Sequence, residues 1–587
     1  MSDTAEKPNG PSFMDKVEVK WGSVLLVLLA VGLSYAPLGR NDFVNLDDGD
    51  AILNNPHIRS WGPESFHWMF TTFHLGNWIP LTWLSLSLDY QLGKLDPAYY
   101  HWHSLALHLL NTLLVFLLAE KLYRRVTTLS GSDWIFPSSL LTMLFFGLHP
   151  IHVESVAWAA ERKDVLYAFF FLASLLVYLS YISDKKPLKL GLCLALFLFA
   201  LMAKPMAVSL PVVLLILDVW PLGRWSREMN RMIPEKIPFF MMALGASVLA
   251  YQAQLVTGAV NNLQAGSFLF RVSNAFHSLV FYIWKTLVPM SYSVFYPFPP
   301  AKNPFTAENL ACLLLVASVA VVCFLLRRQQ PWLAAAFGFH FVAVLPVLGL
   351  IQVGSQAAAD RYTYLPTLGP VLLAAAWVGR RLAGDRALFL SLAAILAAVL
   401  GFQTWRQVGV WETPLSLWQN AARNVSEPSE VIALNLGEIY QKAGRYPEAL
   451  QFLNTSIRLN PNLSDAHATK GLILMDQGDY AGGAGELQTA VNLSPQKSVH
   501  RAHLCLALIR LNRLEEAVTQ GLEAVRLDPL SPTAYDNLGV AYGQEKDWAK
   551  SAEAFQKAVE LEPGDLSFRK NLETVRSQIA NPSPGKK

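Results

Sequence analysis

Residues 436–461 read LGEIYQKAGRYPEALQFLNTSIRLNP. Leu436-Gly437 and Tyr440 belong to a first helix, Ala449 belongs to a second, and Pro461 ends the pair. Pro461, Pro495, Pro529 and Pro563 recur at intervals of 34 residues. The residues between them keep the same phase. Gly471 and Ala490 precede Pro495; Ala517 and Ala524 precede Pro529; Leu538-Gly539, Tyr542 and Ala558 precede Pro563. Small residues recur because adjacent helices must approach closely where they cross.

Thirty-four residues is the period of the tetratricopeptide repeat (TPR), a helix–turn–helix unit. Four such repeats over 430–567 predict an α-solenoid with a concave groove. The groove reads as a surface for a peptide or a partner protein; a rigid spacer or a dimerisation module is the alternative. A linker is expected over 412–429, and a C-terminal helix with a disordered tail over 568–587.

Outward from the repeats, toward the N-terminus, the composition changes. Hydrophobic residues make up 53% of the chain and charged residues 16%, against about 25% charged in a soluble chain. From about residue 21 to 411 the sequence is apolar runs broken by short polar loops, after a cytoplasmic N-terminus at 1–20. Eleven runs qualify as spans: 21–38, 104–120, 138–150, 165–182, 189–203, 206–220, 237–256, 309–326, 331–351, 366–379 and 387–405. A net charge of +3 with no long basic block disfavours nucleic acid as a partner. Cys193, Cys312, Cys323 and Cys505 show no metal-ligand spacing.

Lys and Arg in short loops orient the spans. Lys16 and Lys20, then Lys121, Arg124 and Arg125, then Lys185, Lys186 and Lys189 mark one side. Arg224, Arg227, Arg231 and Lys236, then Arg327-Arg328 and Arg380-Arg381, continue it. The alternation holds if 272–290 is a re-entrant or interfacial helix and does not cross. The loops 39–103, 150–164, 257–308 and 352–365, and the repeats, then lie outside. Sequons at Asn424, Asn454, Asn462 and Asn492 fall in or beside the outward tail, where glycans would crowd packed helices. A bacterial inner membrane with periplasmic repeats is therefore expected; in a eukaryote the repeats would be luminal.

The unusual polar residues gather in these outward loops. The first holds Asp47-Asp48, about nine residues past the first span; acids so near a membrane are solvated, paired or functional. A carboxylate there can serve as a general base, bind a cation or cap a helix. The second holds His149, His152, Glu154, Glu161, Arg162, Lys163 and Asp164. The spacing of His149, His152 and Glu154 fits no common zinc pattern, so the run reads as a substrate site or an interfacial hydrogen-bond network, with no metal expected. The third is Asp360-Arg361-Tyr362-Thr363-Tyr364, where an Arg at headgroup depth can fork onto a phosphate. Lys204, at the outer end of the fifth span, is a second phosphate candidate, or a snorkelling residue. His108 and Asn111, inside the second span, read as interhelical hydrogen-bonding groups.

The segments NWIPLTWLSLSLDYQLG (77–93), HWHSLALHLLNTLLVF (101–116), LHPIHVESVAWAAERKDVLY (148–167) and DRYTYLP (360–366) resemble those of TPR-containing multispanning proteins. These include the transmembrane O-mannosyltransferases with TPR tails and their bacterial relatives. The resemblance implies an all-α, polytopic GT-C-type domain over 21–411 and a lipid-linked sugar donor. It implies an inverting transfer of a sugar, mannose by resemblance, from a polyprenyl phosphate to Ser or Thr of an exported or luminal protein. It places the base at Asp47, with Asp48 beside it, and donor-phosphate contacts at Arg361, Lys204, Arg162, Tyr362 and Tyr364. His149, His152, Glu154 and Asp164 become a substrate-site network. Pro205 after Lys204 departs from the eukaryotic pattern. No cofactor beyond the donor is implied, and an acceptor polypeptide is expected on the repeat groove. A membrane-anchored TPR scaffold and a lipid-linked substrate transporter are the other classes the sequence allows.

Overall fold

A computed structural model describes residues 17–126, 132–256, 266–299, 303–350, 354 and 356–580. The chain is all-α apart from one short antiparallel pair, Tyr296–Pro297 with Gln356–Ala358. It divides into two compact units, Met1–Val425 and Ser426–Lys587.

The first unit is built of apolar helices. In Val17–Ser34, Val24, Val27 and Val31 are buried, while Leu25, Leu26, Leu29 and Leu33 are more than half exposed. The buried set follows helical spacing, and the opposite face is as apolar as the buried one. That combination suits a helix packed on one side and bathed in lipid on the other. The Ala307–Leu325 helix is the extreme case: Cys312 is its single buried residue. Several helices start at a proline, as in Pro97–Val126, Pro187–Ala203 and Pro331–Val344. Proline suits the first helical turn because the N–H it lacks would have no partner there.

Each of the eleven expected spans coincides with a helix. Among the described residues six are long and apolar enough to cross a membrane alone, and a bent pair, Ile135–Leu148 with Pro150–Ala157, makes a seventh. Pro187–Ala203, Pro205–Val219 and Pro331–Val347 are shorter apolar helices. The fifteen-residue Leu368–Leu382 helix is only about 22 Å long, against a hydrocarbon core of about 30 Å. Short polar turns at their ends explain why these runs look brief in sequence. The re-entrant or interfacial segment expected at 272–290 is the helix Phe268–Leu287, which is not among the candidate spans. Leu368–Leu382 is held close by glycine: a Cβ on Gly369 would collide with the Ala336 carbonyl oxygen, and one on Gly379 with Ser138 Oγ.

The expected linker 412–429 contains a helix, Pro414–Asn424, opened by a Thr413–Ser416 capping box. Trp411 and Trp418 are buried within this unit. Indole rings supply enough apolar area to pack a segment whose polar composition suggests a loop.

The second unit pairs Glu430–Lys442 with Tyr446–Leu459, Ser464–Asp476 with Tyr480–Leu493, Ser498–Arg510 with Leu514–Leu527, and Pro532–Gln544 with Trp548–Leu561. A last helix, Leu566–Ala580, caps the stack; the tail expected beyond it lies outside the described residues. Ala449, Ala490, Ala524 and Ala558 have no exposed surface, because each sits where two helices touch. The turn inside each pair carries a left-handed residue at the same phase: Gly444, Gly478, Asn512 and Lys546, with φ of 70°, 88°, 57° and 67°. The next N–H bonds back to the preceding helix each time, as from Arg445 to the Tyr440 carbonyl and from Asp547 to the Tyr542 carbonyl. Only the last of these turns uses a long side chain. Lys546→Gly is expected to stabilise the repeat unit by about 0.5–1 kcal/mol, read as a higher unfolding midpoint.

Candidate functional site

The second polar run, 149–164, is a break in the helices, and the break positions its side chains. Pro150 cannot continue the Ile135–Leu148 helix, so the chain makes a single turn, a short helix Val153–Ala157 bent by 47°, and another turn before the helix Arg162–Asp184 begins. His149 and His152 brace this bend. His149 Nδ1 accepts the Ile151 N–H at 3.3 Å and its Nε2 donates to the Thr286 carbonyl at 3.0 Å. His152 Nδ1 donates to the Phe146 carbonyl at 2.8 Å. Both rings are buried, so they shape the site and do not line its opening.

The loop that follows the first span is stitched to distant segments. Asn41 Nδ2 donates to the Val408 carbonyl at 3.2 Å, the Asp42 N–H to the Glu412 carbonyl at 3.0 Å, and Trp418 Nε1 to Asn45 Oδ1 at 2.8 Å. Its two adjacent acids then diverge. Asp48 is buried; Oδ1 accepts the Ala160 N–H at 2.8 Å and Oδ2 the Val44 N–H at 3.0 Å. Burial pushes its carboxyl up to about 7, against the pull of those two N–H groups. Asp48 is thus the clasp between the two loops. Asp47 is left facing outward beside it.

Asp47 joins a network of opposite charges. Lys163 Nζ lies 3.9 Å from Asp47 Oδ2 and 3.1 Å from Glu161 Oε1. Glu161 also meets Arg361 Nε at 3.3 Å and Lys204 Nζ at 3.5 Å. Arg361 Nη1 pairs with Glu154 Oε1, and its backbone N–H donates to Glu154 Oε2 at 3.2 Å. Lys204 pairs with Asp164, whose other oxygen accepts Ser155 Oγ–H at 3.0 Å. Side-chain exposure separates the four carboxylates: 43% for Asp47, against 4% for Glu154, 3% for Glu161 and 1% for Asp164. Asp47 alone of these can meet a substrate without prior rearrangement.

The third run closes the cluster. Arg361 lies between aromatic faces, 5.1 Å from the Trp158 ring centre and 5.0 Å from that of Tyr362. Lys204 Nζ is 5.9 Å from the same Tyr362 ring. Stacking holds a guanidinium in plane and leaves its edge to oxyanions, here the carboxylates of Glu154 and Glu161. Asp360, next in sequence, accepts from the Tyr296 hydroxyl at 3.0 and 2.9 Å. Burial, with Glu154 nearby, pushes its carboxyl up to about 8. Among the described residues no group of three or more His, Cys, Asp or Glu is placed to hold a metal ion.

The structure therefore brings together Asp47, Glu154, Asp164, Lys204, Arg361 and Tyr362, with Asp48, His149 and His152 as supports. Two expected phosphate contacts lie elsewhere. Arg162 is fully buried on the other side of its helix, paired with Asp89 Oδ2 at 2.7 Å and donating to Ser104 Oγ at 2.9 Å. Tyr364 is buried, its hydroxyl donating to His108 Nδ1 at 2.7 Å and accepting from Asn111 Nδ2 at 3.2 Å. Arg361 and Tyr364 lie three apart across a short helical turn followed by a bend inward, which takes the second tyrosine under the site. Conversely, Glu161 and Lys163, members of the run to which the sequence assigned no role of their own, are central.

Together the two units define a membrane-embedded helical protein with a paired carboxylate–cation site in its loops and a TPR array. A tetratricopeptide repeat model matches residues 432–463 and 532–565, and a second matches 468–532. The chain is similar to Protein O-mannosyl-transferase TMTC1 of Homo sapiens, 23% identical, over 78% of this chain and 57% of that protein. Likeness to Protein O-mannosyl-transferase TMTC3 of Homo sapiens covers 92% of this chain and 64% of that protein at 22% identity. With Protein O-mannosyl-transferase TMTC4 of Homo sapiens it covers 75% and 66% at 25% identity. The chain thus spans less than two thirds of the length of these curated relatives.

Proposed function

We propose that the membrane unit is a glycosyltransferase of the GT-C type. It moves a sugar, mannose by its likeness to those relatives, from a polyprenyl phosphate to a Ser or Thr hydroxyl of an exported or luminal polypeptide. The observation that carries this reading is Asp47: a half-exposed carboxylate in one ion-pair network with two cations suited to a phosphate, Arg361 and Lys204. Asp47 takes the hydroxyl proton. The acceptor oxygen bonds to the anomeric carbon on the face opposite the phosphate. The carbon–oxygen bond to the phosphate breaks, its electron pair leaves with the polyprenyl phosphate, and the configuration inverts. Arg361 and Lys204 meet the charge that grows on the leaving oxygen, and Glu154 and Asp164 keep those cations aimed.

The purified chain, given a polyprenyl-phosphate mannose labelled in the sugar and a set of exported polypeptides, is expected to make a labelled protein. Label that stays on the lipid with every acceptor would argue against transferase activity. Label that crosses a proteoliposome membrane unchanged would indicate a transporter. The repeat groove is proposed to bind the acceptor or a partner polypeptide on the outward side. A reporter active only outside the cytoplasm, fused after residue 587, is expected to be active; activity of a cytoplasmic reporter alone would mean that 272–290 crosses.

Arg361→Ala is expected to weaken donor binding about 10- to 100-fold, the range for losing charge-assisted hydrogen bonds. Arg361→Lys is expected to recover only part, because a point charge cannot fork onto two oxygens. Donor titration of the folded variants measures both, and an alanine variant with unchanged affinity would exclude the contact.

A further inference from the structure

The Leu368–Leu382 helix runs from just below the Arg361 cluster to Arg380 and Arg381 in its last turn, roughly 20 Å away at 1.5 Å per residue. A cavity of about 250 Å³ follows it along that length. Leu372 and Ala376 form one wall, Ile216, Ala336 and Phe339 face them, and the two arginines, Trp134 and Trp377 stand at the far end. Arg380 lies 4.2 Å from the Trp134 ring centre and Arg381 5.4 Å from that of Trp377. Some other basic side chains at this end have carboxylates, while Lys121 and Arg125 donate to the Ser180 and Ser183 hydroxyls. Lys20 and Arg124 share Glu120, Lys185 holds Glu228, and Lys189 holds Asp184. Arg380 and Arg381 are exposed and have no acidic partner among the described residues.

We propose that this cavity binds one anionic phospholipid from the leaflet opposite the Arg361 cluster. Its phosphate sits on Arg380 and Arg381, and one acyl chain lies along the cavity. Arginine at a helix C-terminus complements the helix dipole wherever it occurs. The pair differs from that ordinary case in two ways: indole rings hold it in place, and it stands over an apolar void. Such a void forfeits dispersion contacts unless a hydrocarbon chain fills it. Two uncompensated cations at the mouth select an anionic headgroup. The donor of the proposed transfer enters from the other end of the helix, so this site is separate from that reaction.

The test uses the full chain, delipidated in detergent and titrated with dioleoyl phosphatidylglycerol or with dioleoyl phosphatidylcholine, with bound lipid counted by native mass spectrometry. One phosphatidylglycerol is expected to bind in preference to phosphatidylcholine. Arg380→Ala with Arg381→Ala is expected to weaken it about 25-fold, taking about fivefold per basic residue. Both side chains are exposed, so this variant is expected to fold normally. Ala376→Trp, which fills the cavity and keeps both arginines, is expected to abolish the bound lipid. Equal binding of the two lipids, or undiminished phosphatidylglycerol on the double alanine variant, would overturn the proposal. So would loss of polyprenyl-phosphate binding in Ala376→Trp, which would assign the cavity to a donor tail.

Discussion

Asp47→Asn is expected to lower the rate of sugar transfer by about 10²- to 10⁴-fold, the usual cost of removing a general base. Donor binding and stability should change little. The asparagine keeps the shape of the side chain, and the group it leaves, Lys163, retains Glu161 at 3.1 Å. Asp48→Asn is expected to fail differently. One of its two backbone N–H partners, on Ala160 or Val44, would face an amide NH₂ in place of an acceptor. A buried donor left without a partner costs about 1–3 kcal/mol, so this variant should melt earlier and lose activity through a loosened loop. Measuring kcat beside the melting temperature separates the two. Near-normal kcat in Asp47→Asn would remove this loop as the source of the base and turn attention to Glu154 and Asp164.

That division between neighbouring acids shows where sequence reading reaches its limit. An acidic pair just past a span is visible as an anomaly, because charge near lipid demands a reason. Which of the two is free depends on a hydrogen bond to the Ala160 N–H, 112 residues away. No local pattern encodes it. The repeats are the opposite case: their period is written in prolines and alanines, and every helix pair follows it. The spans are legible for the same reason, since apolar length is a local property. Arg162 and Lys163 fall between these cases. The onset of a helix at Arg162 puts successive side chains about 100° apart, so one of the pair must turn from the site. Locating the helix start in the polar run after Trp158 would have exposed that choice. Glu161, at the turn just before, gained its central place only when Lys204 and Arg361 arrived from segments 43 and 200 residues downstream.

Arg162→Ala is expected to be among the most destabilising single changes in the membrane unit, by about 3–5 kcal/mol. Arg162 has no exposed surface, and its guanidinium serves Asp89, Ser104 Oγ at 2.9 Å and Ser85 Oγ at 3.0 Å, together with the Tyr100 carbonyl. Asp89 is 1% exposed. Its carboxylate meets Arg162 on one oxygen and His103 Nδ1, 2.6 Å away, on the other. Removing the arginine leaves a buried charge with too few donors and a void where the side chain packed. The two losses can be told apart. Asp89→Asn in the Arg162→Ala background removes the orphaned charge and should recover part of the stability. Arg162→Met keeps the volume but not the charge, and should remain as unstable as the charge alone dictates. Melting of the purified variants in detergent reads all three. If Arg162→Ala melts like the parent, the buried pair is not a structural strut, and Arg162 returns as a candidate for the donor phosphate. If it melts early and Asp89→Asn restores it, the residue belongs to the scaffold that holds the loop after the first span against the helices, and Arg361 and Lys204 remain to meet the leaving phosphate.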